Sequence, residues 1–328
     1  MTWLDMTAAQ IAERLPGQPA YRARQLLDGL LGGAASLSEI TNLPKSLRES
    51  LDMPTGYPAA MRQQRSEDGT VKTLWRYPDG AEVESVLMRY KHGLSACLST
   101  QAGCRMGCAF CASCQNGLNR SLTGGEIAGQ YLAVRKQAGQ AVPRIVLMGM
   151  GEPLDNLEGT LRALQIFRDI GLSMRHISLS TCGLPDGIRT LAEAGFPVTL
   201  SVSLHAADDA TRTGLMPINK KYPIRQVLNA CDYYFKQTGR RVSYEYICIK
   251  DINDGDDQAK KLAKLLKGQP AHVNLIPCNP VKGKNYEPSK KVREFQKILT
   301  EAGLTVTVRR SLGTGIEAAC GQLQRGGS

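Results

Sequence analysis

The chain has 328 residues, 42% apolar and 22% charged, enough to bury a full core in one large or two smaller domains, so wholesale disorder is excluded. It carries 41 Lys and Arg against 30 Asp and Glu, unevenly placed: residues 1–217 hold 21 basic and 20 acidic side chains, residues 218–328 hold 20 and 10. A basic face on a balanced protein points to a polyanionic partner, nucleic acid first, while aromatics at 5% argue against an extended stacking platform for bases. No run of about 18 apolar residues occurs, and no basic stretch leads into an apolar one at the N-terminus. A cytoplasmic protein that crosses no membrane is expected.

Residues 1–60 read as a small helical domain: Tyr21–Leu30 has apolar positions at helical spacing, and Pro16, Pro44, Pro54 and Pro58 punctuate the segment. Residues 61–93 read as a hairpin extension, because β-prone runs Val71–Tyr77 and Ala81–Met88 flank the turn Pro78-Asp79-Gly80. From residue 94 onward, strands are predicted at 94–100, 144–149, 176–181, 197–204, 241–249, 272–276 and 304–309. Helices are predicted at 123–138, 157–169, 186–194, 224–237, 257–267 and 288–302. Repeated βα units with near-continuous apolar strands predict an α/β fold with a parallel sheet over 94–328. Six units and one more strand allow an open or a closed barrel.

The unusual residues fall just after the predicted strands. They include cysteines after 94–100, Gly149–Glu152 after 144–149, Ser180 and Thr181, Ser203-Leu204-His205, and Asn279. Carboxyl ends of parallel strands form the active face of such folds. Ten cysteines in a chain without a secretory leader read as metal or redox chemistry rather than a disulfide framework. Cys104, Cys108 and Cys111, spaced C-x3-C-x2-C, can place three thiolates round one iron–sulfur cubane and leave one iron open to S-adenosylmethionine. This spacing after the first strand of a βα array is the radical-SAM signature. Cys114 could instead supply a fourth ligand, for zinc or to close the cubane; Phe110 and the βα array favour the open cubane, with Cys114 as a non-ligand. The glycines of Met148-Gly-Met-Gly-Glu152-Pro allow close backbone approach to a ligand, and Glu152 can accept a hydrogen bond from an ammonium group. By themselves Cys97 reads as a strand residue, Cys320 as an inert thiol, and Cys182, Cys231, Cys248 and Cys278 as structural.

Cys97-Leu-Ser-Thr-Gln-Ala-Gly-Cys104, Asn119-Arg-Ser-Leu-Thr, Met148-Gly-Met-Gly-Glu-Pro-Leu, Ser201-Val-Ser-Leu-His205, Met216-Pro-Ile-Asn-Lys-Lys-Tyr222, Asn274-Leu-Ile-Pro-Cys-Asn-Pro280 and Ala319-Cys-Gly-Gln-Leu323 occur in order. Together they resemble the RlmN/Cfr radical-SAM RNA methyltransferases from about Tyr21 to Leu323. The resemblance implies a partial (β/α)6 barrel, a [4Fe–4S] cluster on Cys104, Cys108 and Cys111, and S-adenosylmethionine contacts from Gly151, Glu152, Ser180, Ser203, Leu204, His205 and Asn279. It implies methylation of C2 of an adenosine in 23S rRNA, and in tRNA, with two S-adenosylmethionine molecules per turnover and an external electron donor such as flavodoxin or ferredoxin. In that scheme Cys320 is first S-methylated. A radical from the second S-adenosylmethionine takes a hydrogen atom from its methyl group, and the methylene radical adds to the base. Cys97 then releases the product by forming a transient disulfide with Cys320. Glu84 matches the family's proton acceptor, although a strand Glu is commonly a solvated edge residue. Cys278 in place of the aromatic common before Asn-Pro, and the extra Cys114, depart from the family pattern. C8 methylation of the Cfr type, a radical-SAM reaction on a non-RNA substrate, and a zinc-stabilised RNA-binding protein are the alternatives; Pro153 and Pro277 favour C2.

Overall fold

The computed structural model describes residues 1–324. The N-terminal helices are α1 (Ala8–Glu13), α2 (Tyr21–Gly32) and α3 (Lys45–Ser50). Three antiparallel strands follow, β1 (Ala59–Arg65), β2 (Val71–Arg76) and β3 (Glu82–Tyr90), and β3 pairs antiparallel with β4 (Gly93–Cys97). The hairpin expected over 61–93 is therefore three strands, and they continue the main sheet instead of standing apart from it. β1 escaped prediction because Ala-Ala-Met-Arg-Gln-Gln-Arg is almost wholly exposed and shows no apolar alternation.

A short pair, β5 (Gln101–Gly103) and β6 (Leu118–Ser121), brackets the cysteine loop. The alternating part is then α4 (Gly124–Ala138), β7 (Arg144–Leu147), α5 (Leu157–Asp169), β8 (Ile177–Thr181), α6 (Pro185–Glu193) and β9 (Thr199–Ser203). It continues through α7 (Asp209–Leu215), α8 (Ile224–Thr238), β10 (Val242–Cys248), α9 (Asp256–Leu266), β11 (Ala271–Pro277), α10 (Val292–Glu301) and β12 (Thr305–Val308). From β4 through β12 all neighbours are parallel, and the order β1-β2-β3-β4-β7-β8-β9-β10-β11-β12 leaves β1 and β12 as edges. This is the expected α/β architecture in its open form. Helix α10 starts at Val292 instead of 288 because Pro288 bridges to Ile249 beyond the end of β10.

Local chemistry explains the elements. Thr123 caps α4, exchanging bonds with Glu126, and Gly139 ends the helix in the left-handed conformation. β8 and β9 bury Ile177, Leu179, Leu200 and Val202 in the same core that takes Trp3, Leu4, Ile11 and Leu26 from the N-terminal segment. That segment also docks by polar contacts. The Asp5 carboxylate accepts from the Gly125 N–H (2.6 Å) at the positive end of α4, and Arg162 donates to the Asp5 carbonyl (2.9 Å). No helix among the described residues is long and apolar enough to cross a membrane.

Gly129 lets α4 pass directly over the chain at Gly56; a Cβ there would overlap the Gly56 carbonyl. Gly129→Ala is expected to cost about 1–3 kcal/mol through overpacking, despite the better helix propensity of Ala. Limited proteolysis should show faster cleavage between residues 50 and 60, where the N-terminal segment peels from α4.

Candidate active site

The carboxyl ends of the parallel strands meet at an open cleft. Cys104, Cys108 and Cys111 line one end. They leave β5 at Gly103, which has φ +85° and whose Cβ would overlap the Gly117 carbonyl, so the turn into the loop requires glycine. The Cys114 thiol lies among the other three and interacts with each. The thiols contact one another; among the described residues no three His, Cys, Asp or Glu side chains enclose a position for one metal ion. The donor set, soft sulfurs from one short loop opening on the cleft, suits an iron–sulfur cluster.

The walls come from the strand ends. Gly149 and Gly151 run against the end of β4: a Cβ on Gly149 would come within 2.7 Å of the Leu98 carbonyl, and one on Gly151 within 2.6 Å of Gln101. Gln101 Oε1 accepts from the Glu152 N–H (2.9 Å). The buried Glu152 carboxylate accepts from the N–H groups of Cys182 (2.7 Å) and Leu154 (3.0 Å); burial raises its pKa and these bonds oppose the rise. Cys182, expected to be merely structural, lines the cleft. Ser180 donates to Glu245 Oε2 (2.8 Å), and Ser203 reaches the same oxygen (3.4 Å).

His205 is buried with φ +57°. Its Nδ1 accepts from the Ile247 N–H (3.1 Å), which leaves the proton on Nε2, and its ring sits edge-on to Phe110 with centroids 5.0 Å apart. Burial, then the nearby Arg212 charge, lowers its pKa to about 3, so the imidazole is neutral. Arg212 is fully buried without a carboxylate partner. It donates to the carbonyls of Leu204 (3.1 Å), Ser203 (3.2 Å), Cys182 (2.6 Å) and Tyr222 (3.4 Å) and to Asn219 Oδ1 (2.8 Å), clamping the loops after β8 and β9 together.

Two expected contacts sit differently. Leu204 turns its side chain into the core, and its backbone N–H and carbonyl are taken by Glu245 and Arg212. Asn279 lines a neighbouring cavity, where its Nδ2 donates to the Cys320 carbonyl (3.0 Å).

The C-terminal segment crosses the mouth of the cleft. Cys320 lines the main cleft and shares a second cavity with Cys97, Cys111, Ser113 and Arg309. The structure thus brings together two cysteines from opposite ends of the sheet-forming chain. Both are free thiols, so the disulfide implied by the resemblance is not formed here. Burial pushes the Cys97 thiol up to about 12, the Cys320 charge adds to the rise, and Arg309 opposes it. The Arg309 guanidinium pairs with Glu245 (3.4 Å), and the Cys320 charge, followed by Glu245, holds it firmly protonated against its burial. Glu84 is buried, contrary to the solvated edge residue that a strand Glu suggests. Its carboxylate pairs with the equally buried Lys72 (3.1 Å) and accepts from the Gln324 N–H (3.0 Å); burial raises its pKa and Lys72 opposes. It therefore anchors the tail from outside the main cleft.

Glu245, Arg309 and Arg212 escaped the sequence reading. Arg309 ends a predicted strand, so the strand-end rule could have found it; Glu245 is marked only as the lone charge in the middle of the strand Val-Ser-Tyr-Glu-Tyr-Ile-Cys. Nothing local marks Arg212.

The radical SAM superfamily model matches residues 98–263. The chain is 48% identical over 318 residues to the "Probable dual-specificity RNA methyltransferase RlmN" of Desulforamulus reducens, covering 94% of this chain and 91% of that protein. It is 47% identical to the protein of the same description from Pelotomaculum thermopropionicum, over 98% and 90%. The crystal structure of a radical SAM methyltransferase from Sphaerobacter thermophilus superposes with a TM-score of 0.94 at 43% identity, covering 98% of this chain and 99% of that one.

Replacing Arg212 by Met or Lys should orphan several buried acceptors, each worth about 1–3 kcal/mol. Lys has no planar fork with which to rescue them. A fall in the thermal midpoint of at least about 5 °C is expected for both variants by calorimetry.

Proposed function

The chain belongs to the RlmN family of radical SAM RNA methyltransferases, and we propose that it methylates C2 of an adenosine in 23S rRNA and in tRNA through an S-methylated Cys320. The observation that carries this reading is the meeting of Cys97, Cys320 and Arg309 in one cavity beside the cysteine loop. C2 of adenine has no lone pair with which to attack a sulfonium methyl group, so a protein sulfur must first accept the carbon.

Membership of the radical SAM superfamily implies a [4Fe–4S] cluster and S-adenosylmethionine. Cys104, Cys108 and Cys111 would hold the cluster, which when bound supplies the electron that cleaves S-adenosylmethionine. Glu152, Gly151, Ser180, Ser203 and His205 face the cleft from strand ends and would hold the amino acid and ribose parts, His205 as a fixed Nε2–H donor. Leu204 would act by shaping the turn before His205, and Asn279 by holding the Cys320 segment. The Cys320 thiolate takes the methyl group from the sulfonium sulfur, displacing S-adenosylhomocysteine. After the methyl carbon is joined to C2, the C2 proton is lost to a base and the Cys97 thiolate attacks the Cys320 sulfur; an S–S bond replaces the S–C bond, whose electron pair stays on carbon and takes up a proton to complete the methyl group. Glu84, placed beneath the tail, would act as proton acceptor once the tail moves away. Two S-adenosylmethionine molecules are used per turnover, with electrons from a flavodoxin or ferredoxin. Residues 94–328 form the catalytic unit, with 1–60 and 61–93 packed on it as accessory pieces.

Anaerobic turnover with S-adenosylmethionine, a reductant and unmodified 23S rRNA transcript, followed by nucleoside digestion and mass spectrometry, should yield 2-methyladenosine; 8-methyladenosine or no product would overturn the assignment. Cys97→Ala should accumulate a covalent protein–RNA adduct on denaturing gels. Cys114→Ser should retain its iron and sulfide, whereas Cys108→Ser should lose most of both; equal loss would make Cys114 a ligand.

A further inference from the structure

Outside the main cleft, the end of β3 forms a second surface. A shallow cavity there is lined by Asp68, Arg89, Tyr90, Lys91, Arg310 and Leu312. Arg89, Lys91 and Arg310 are exposed, and none is ion-paired among the described residues. The one carboxylate present is already engaged: Asp68 accepts from the N–H groups of Thr70 (2.9 Å) and Gly313 (2.9 Å). Three cations are thus left facing solvent with no protein anion on them. Beside them the rings of Tyr90 and His92 lie parallel, 5.2 Å apart at 7°, with His92 exposed.

The cavity is not a dead end. Tyr90, Arg310 and Leu312 also line the inner cavity that reaches Asn279, Ala319 and Cys320. A basic outer groove, a ring pair at its edge and an inner passage to a reactive sulfur follow one another. Phosphates need cations at the surface, and a base acted upon chemically must leave its stack and go inward. Dividing the sequence by charge hides this site, because Arg89 and Lys91 lie in the half with almost no net charge.

We propose that the Arg89–Lys91–Arg310 groove carries the RNA strand bearing the target adenosine, with phosphates on the three cations and a flanking base against the Tyr90–His92 pair. The narrow cavity beneath it, too small for a purine while the C-terminal segment is in place, becomes the route by which the extruded base reaches Cys320 once that segment lifts. This rests on the RNA methyltransferase reading and locates its substrate.

The test is binding of in vitro transcribed 23S rRNA to the holoenzyme, titrated across roughly 50–200 mM salt. Wild type is compared with Arg89→Ala/Lys91→Ala/Arg310→Ala and with a control, Lys260→Ala/Lys264→Ala on α9. Each lost phosphate contact on a single strand lowers the salt slope by about 0.7. The groove variant should lose about 2 units of slope and at least about tenfold in affinity, with the control near wild type. S-methylation of wild-type Cys320 without RNA is read by intact mass, and the thermal midpoints of both variants should match wild type. An unchanged slope in the groove variant, or equal losses in the two variants, overturns the groove. Wild type that binds no RNA and never methylates Cys320 overturns instead the reading beneath it.

Discussion

The tail pinned across the mouth of the cleft is the constraint on which the chemistry depends. Ala112 donates to the Gly321 carbonyl (2.8 Å), Ser113 to that of Leu323 (2.7 Å), Gln322 to that of Pro280 (2.8 Å), and Gln324 to the Glu84 carboxylate (3.0 Å). The buried side chains in this stretch are small or few, chiefly Ala318, Ala319 and Leu323. Each bond is worth about 1 kcal/mol net, so the tail can open for far less than global unfolding. A segment held this way brings Cys320 to Cys97 by default and still permits the sulfur to travel.

Two buried ion pairs frame that segment. Lys72 and Glu84 lie beneath its end, and Lys72 also donates to the Glu317 carbonyl (3.3 Å). Removing one partner of such a pair would leave an uncompensated charge, costing about 3–5 kcal/mol. Glu245 and Arg309 lie on the cleft wall, where Glu245 also binds Ser180 and Ser203. The first pair holds the tail down; the second couples Ser180 and Ser203 in the cleft to the guanidinium beside the thiols.

Most of the scaffold could be read from the residues because its strands are buried on both faces. Runs such as Ile145-Val-Leu and Leu200-Ser-Val are continuous enough to mark themselves, and helices such as α5 match their expected bounds. The cysteine loop was legible for a different reason, since three cysteines within eight residues need no tertiary information. Glu84 was misjudged in its surroundings: its burial is created by Lys72 on the adjacent strand and by a tail more than two hundred residues away. Arg212 likewise serves carbonyls from three separate loops, and no local pattern encodes such a convergence.

The same convergence sets the protonation state of Cys97. With its thiol held near 12, Cys97 is protonated at neutral pH and a weak nucleophile, and joining it to the Cys320 thiol would also need an acceptor for two electrons. Part of that elevation comes from negative charge on Cys320, and Arg309 is shared between the two sulfurs. A carbon in place of the Cys320 thiol hydrogen would remove that coupling, and the guanidinium would act on Cys97 with only Glu245 competing. Both changes favour ionisation of Cys97. In the proposed scheme, that is the stage at which Cys97 attacks.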